Sequence, residues 1–158
     1  MKYHVPEYVL KCLYNAHVLP HILYCIAIWG STYSSHLQPL FILQKRAIRI
    51  ITKAPFRETT QPLFKRTKIL KLYDQIKLEV ATYMFNNKNS QDFQRIINRY
   101  NTRQVGQLQL PRHDLTHFEH SLAYCGPKLW NALTNDLKNK RTKRLFRFHY
   151  KKTILSQY

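Results

Sequence analysis

Over the opening stretch of the chain, Tyr8, Val9, Leu13, Ala16, Leu19, Ile22, Leu23, Ile26 and Trp29 recur at intervals of three and four, the spacing that lines one helix face. A proline ring removes a helical hydrogen bond and clashes with the preceding turn, so Pro20 is expected to break or kink this run into two pieces. Gly30 with Ser31, Thr32, Ser34 and Ser35 offers a stop, a short loop and several N-caps. The next helix is expected from about His36 to Lys53, ended by Ala54 and Pro55. A loop with Thr59 and Thr60 leads to a short helical turn at Pro62 to Arg66, then a longer helix from about Leu72 to Asn87. Asn86 to Ser90 is the most linker-like stretch, and a short helix around Asp92 to Arg99 follows it.

Between Tyr100 and Pro111 the pattern changes, because Val105, Leu108 and Leu110 are separated by Gly106, Gln107 and Gln109. That reads as one short extended segment, which must pair outside the chain or run over a helical surface. Helical spacing resumes at about Phe118 to Leu133 and again from Thr142 to Leu155, with Asn139 to Arg141 between. No internal repeat or low-complexity tract is visible. The fold class expected is mainly α, an irregular multi-helix bundle with at most one short extended segment near 104–111.

A length of 158 residues fits one domain, or one with a small appendage, and the 44% hydrophobic content supports a real core. The charge balance is unusual: 26 Lys and Arg against 8 Asp and Glu give +18. Such self-repulsion is relieved by a polyanion, which puts nucleic acid first among partners and an acidic membrane second. With 3 glycines, Gly-rich phosphate loops are not indicated. Cys12, Cys25 and Cys125 show no CxxC spacing and read as reduced, intracellular thiols. The start of the chain does not read as a signal peptide, and Val18 to Trp29, interrupted by Pro20 and His21, is too short to span a bilayer.

No acidic residue lies between Glu7 and Glu58, so the basic residues of the expected 36–53 helix have no local carboxylates. On a helical projection Lys45, Arg46, Arg49 and Lys53 fall within about 100°, with Leu37, Leu40, Phe41, Ala47, Ile48 and Ile51 broadly opposite. This pattern predicts a cationic stripe backed by core. Residues 138–152 hold eight basics and no acid, interleaved with Phe146, Phe148, His149 and Tyr150. Lys143, Arg144, Arg147 and Lys151 are phosphate-contact candidates there, and the aromatic rings either dock the helix or stack on bases.

The eight carboxylates are scattered singly, and no DD, DxD, HExxH, GxSxG or Walker motif occurs, so no catalytic residue, cofactor or small-molecule substrate is expected. His113, His117, His120 and Cys125 form the one suggestive cluster, but their spacing matches no common structural zinc site. No metal is expected.

Several segments together carry a family resemblance: LYNAHVLPHILYCIAIWG (Leu13 to Gly30), LQPLFILQKRAIRIIT (Leu37 to Thr52), PLFKRTKILKLYDQI (Pro62 to Ile76), YNTR (Tyr100 to Arg103) and GPKLWNALTNDLK (Gly126 to Lys138). In this order they resemble the C-terminal part of the reverse transcriptase of non-LTR retrotransposons, the LINE elements of the jockey-like and related types. The resemblance implies a thumb-like helical region at 1–88 and a post-thumb basic helical region at 89–158. It also implies contact with template and primer, sequence-nonspecific RNA or DNA, by Lys45, Arg46, Arg49 and Arg103. Trp29, Leu129 and Trp130 are given core roles. The family's fingers, its palm with the FADD-type aspartates, its endonuclease and the zinc knuckle have no counterpart here. No catalytic role therefore carries over, and the rest of a reverse transcriptase becomes a candidate partner. Thr134 stands where the family's LWNxLP pattern has proline, implying a looser helix stop.

Overall fold

A computed structural model of the chain describes residues 5–90, 93 and 107–158. The helix expected at 92–99, Arg103 and the first part of the extended segment lie outside the described residues. Helix α1 (Glu7–Leu13) runs through a π turn (Tyr14–Val18) into α2 (Leu19–Leu23), and a short α3 (Ile26–Trp29) follows. Next come α4 (Ser34–Ile51), α5 (Thr60–Thr67), α6 (Leu72–Asn87), a 3₁₀ turn (Thr116–His120), α7 (Leu122–Ala132), α8 (Asn135–Lys138) and α9 (Lys143–Ser156). The architecture is a mainly α multi-helix bundle, with no strand or sheet among the described residues.

Pro20 does not break the first run. It sits in the first turn of α2, where its missing N–H is least costly, and the chain before it widens so that Leu19 N–H reaches back to the Tyr14 carbonyl. The break falls at Cys25 instead, a left-handed residue with φ of 50°.

Helix α6 organises the core because residues on more than one of its sides are buried. Leu72, Ile76 and Val80 pack with Ile22, Ile26 and Leu37 from α2, α3 and α4. Leu78, Ala81 and Met84 pack with Trp130, Leu137, Phe146 and Tyr150 from α7, α8 and α9. The two regions on either side of Asn86 to Ser90 are thus joined in one core, and Lys88 lies over the rings of Phe85 and Trp130. A third cluster, with Tyr14, Ile48, Ile51, Leu63, Phe64 and Ile69, locks the π turn, α4 and α5 together.

Two polar contacts fix the connection into α6. Gln44 is buried, and its amide donates to Tyr14 Oη and the Leu70 carbonyl at 3.0 Å each while accepting from Leu72 N–H at 2.8 Å. Tyr158 Oη donates to Asp74 Oδ2 at 2.7 Å and accepts from Lys71 N–H at 2.8 Å. These bonds satisfy backbone groups that burial would otherwise leave orphaned.

Leu108, in the expected extended segment, is buried over α7. Its N–H and carbonyl are both bonded at 2.9 Å by the Asn131 side-chain amide. Threonine at 134 does not loosen the preceding helix: α7 stops at Ala132, and the Thr134 carbonyl starts α8 by accepting from Leu137 and Lys138. Trp130 is core, as the resemblance implies, whereas Trp29 and Leu129 are half-buried. No helix among the described residues is long and apolar enough to cross a membrane.

Candidate nucleic-acid interface

Helix α4 buries Leu37, Ile48 and Ile51 and turns its basic positions outward, as an amphipathic helix must. The four cations of this face have different surroundings. Lys45 Nζ lies 4.4 Å above the Phe41 ring one turn earlier. Arg46 is exposed, with no carboxylate within ion-pair distance among the described residues. Arg49 is tied back, donating through Nε and Nη2 to the Glu58 carbonyl at 3.2 and 3.1 Å and standing 5.7 Å from the exposed Phe56 ring.

Lys53 lies beyond the helix rather than on it. Ala54 N–H bonds the Arg49 carbonyl and Lys53 N–H bonds the Ile50 carbonyl, a Schellman closure that places Lys53 in the left-handed position at φ of 57°. Glycine normally occupies that position, so lysine holds it at a cost of about 1 kcal/mol.

Helix α9 is capped by Thr142, whose hydroxyl accepts from Leu145 N–H. Phe146, Tyr150 and Ile154 face inward on the helical repeat, so two of the aromatic residues dock the helix while Phe148 stays 64% exposed. Lys143 and Arg144 are exposed in the first turn, where the helix dipole disfavours cations. Arg147 is engaged: it pairs with Glu79 through Nη1–Oε2 at 2.5 Å and Nη2–Oε1 at 2.7 Å. Lys151 lies in a cleft of about 580 Å³ with Lys65, Lys68, Lys152, Phe148, Leu155 and Ser156. Partial burial there, with the charges of Lys11 and Arg147, holds its ammonium below the usual lysine pKa.

The structure therefore brings Lys151 together with Lys65 and Lys68 of the α5 end, which the sequence did not single out, while the α4 face stands apart from this cleft. Lys68 lies past the end of α5 in the left-handed position, and its place beside α9 is tertiary information. Arg66, between them, pairs with Glu7 at 3.1 Å and bonds the Thr52 carbonyl at 3.2 Å.

The histidine cluster disperses. His113 bonds Glu119 at 3.1 Å, His120 bonds the Ser31 carbonyl at 2.8 Å, and the Tyr33 ring lies tilted against His120 with centroids 4.1 Å apart. Among the described residues no three His, Cys, Asp or Glu side chains are grouped to hold a metal ion. Compared with protein-family models, curated proteins and solved structures, the chain matches none.

Proposed function

We propose that this chain is a non-catalytic, C-terminal fragment of a retrotransposon RNA-directed DNA polymerase that binds RNA or DNA electrostatically and without sequence preference. The observation that carries the reading is that many exposed cations have no carboxylate partner among the described residues, among them Arg46, Lys65, Lys68, Lys143, Arg144, Lys151 and Lys152. Ion pairing takes up Arg66, Lys77, Lys140 and Arg147 instead. Phosphates replace the missing counter-charges, and counterion release supplies the binding free energy.

The test is a titration of labelled single-stranded and duplex RNA and DNA at several salt concentrations. Log affinity is expected to fall linearly with log salt, with a slope corresponding to about four to eight phosphate contacts. Affinity that does not change between low and physiological salt rejects the reading, and primer extension with Mg²⁺ or Mn²⁺ above a mock preparation rejects its non-catalytic part.

A second reading, a remnant built to dock on a missing palm, is favoured by one observation. An apolar cleft of about 440 Å³ between the π turn with α2 and α4, lined by Val18, Ile22, Trp29, Leu40 and Leu43, lies open on the surface.

A further inference from the structure

The cleft between α5 and α9 combines two features that electrostatics alone does not require. Lys65, Lys68, Lys151 and Lys152 converge on it from two helices 83 or more positions apart in sequence, by the separation of Lys68 and Lys151, and no carboxylate lines it. Beside them stands Phe148, 64% exposed although its neighbours on the same helix, Phe146 and Tyr150, are 0% and 8% exposed. Folding accounts for the two buried rings but leaves the apolar area of Phe148 in water. The volume, about 580 Å³, is in the range of sites that hold small ligands, and Leu155 adds an apolar wall.

We propose that this cleft binds a single-stranded stretch of nucleic acid, with phosphates against Lys65, Lys68, Lys151 and Lys152 and a base stacked on Phe148. The proposal rests on the nucleic-acid reading above and assigns it a site and a strand form. Ammonium groups that track the backbone and an aromatic face that takes a base of any identity are the two parts of sequence-tolerant single-strand recognition. A duplex keeps its bases stacked on one another and cannot offer one to the ring without unpairing. An acidic peptide neutralises the lysines and leaves the ring unused.

The experiment measures affinity by fluorescence anisotropy for four probes of matched charge: an oligothymidylate, an abasic oligomer of equal length, a duplex and polyglutamate. Phe148→Ala is expected to weaken oligothymidylate binding by about 5-fold to 100-fold and to leave the abasic oligomer within about twofold. Lys65→Gln with Lys68→Gln is expected to weaken both and to lower the salt slope by about two. Phe148→Trp is expected to retain the affinity and to show quenched indole fluorescence on binding. Circular dichroism checks that each variant folds, which the exposure of these side chains favours.

Equal loss for the thymidylate and abasic probes in Phe148→Ala overturns the stacking, as does polyglutamate binding as tightly as the thymidylate. Oligonucleotide binding that survives all the cleft variants overturns the site and spares the electrostatic reading. Absence of salt-dependent binding in the unaltered chain overturns both.

Discussion

Arg147 and Glu79, 68 positions apart, form a two-pronged ion pair that ties α9 to α6. Gln75 completes it by donating to Glu79 Oε1 at 2.8 Å. Their side chains are 35% and 17% exposed, intermediate between a surface pair of little worth and a fully buried one.

Loss of one partner leaves the other charge half-desolvated, so Arg147→Met is expected to lower stability by roughly 1–3 kcal/mol. Glu79→Gln in the Arg147→Met background should recover part of that loss. A double-mutant cycle by urea denaturation measures the coupling; strictly additive losses would show that the two groups do not interact. Because the guanidinium is already occupied, Arg147→Met should move the salt slope of nucleic-acid binding less than Arg144→Gln does.

On α4 the surroundings of each cation separate binding from stability. Arg46→Gln should lower the salt slope by about one at unchanged stability. Arg49→Gln removes two bonds to the Glu58 carbonyl and is expected to cost about 1 kcal/mol as well. Lys128→Gln on α7, away from both basic faces, is the charge-matched control. Equal losses of affinity in Arg46→Gln and the control would reduce the stripe to bulk charge.

Alkaline pH should unfold the protein in step with its buried phenols. Burial pushes Tyr14, Tyr150 and Tyr158 above the ordinary tyrosine pKa, and the Asp74 carboxylate adds to this for Tyr150 and Tyr158. The folded state keeps protons that the unfolded chain releases. The stabilisation is therefore complete below the unfolded value of about 10 and is lost as pH rises from there through the folded values. Denaturation followed across this range should show stability falling above about pH 10, with a shallower fall in Tyr158→Phe. An unchanged slope in that variant would disprove the assignment to Tyr158.

Gly30 closes α3 against α6, where an added Cβ would collide with the Ile26 carbonyl oxygen and come within 2.8 and 2.9 Å of Ile76 Cγ1 and Cγ2. A β-branched side chain yields little, so Gly30→Ala is expected to cost roughly 1–3 kcal/mol. Adding Ile76→Ala removes the side-chain part of the clash but not the contact with the Ile26 carbonyl, so the pair should be only partly less damaging than the sum of its parts. Thermal melts give the comparison, and full additivity would mean the contact is not tight.

Local pattern made α4 legible, since Leu37, Ile48 and Ile51 turn inward and Arg46 outward as the helical projection requires. The same approach misplaced the break at Pro20, because a proline rule has no term for a π turn that absorbs the missing N–H. It also placed Lys53 on the helix, although the Schellman closure ends α4 two residues earlier. The charges of Arg147 and Lys151 were visible in the sequence, but not that Glu79 takes one and that Lys65 and Lys68 join the other. Those outcomes depend on how distant helices pack. Among the aromatics of α9, periodicity distinguishes Phe146 and Tyr150 from Phe148 only once the buried face is known.

The bonds from Tyr158 to Asp74 and to Lys71 N–H set a timetable for synthesis. At about 5–20 residues per second, the first turn of α6 waits roughly 4–17 s on the ribosome for a partner made 84 positions later. Phe146 and Tyr150, which cover Leu78, Ala81 and Met84, arrive in the same late interval. The side of α6 that these rings cover is therefore bare while the chain emerges. Folding from the N-terminal side therefore cannot finish the core until α9 is complete.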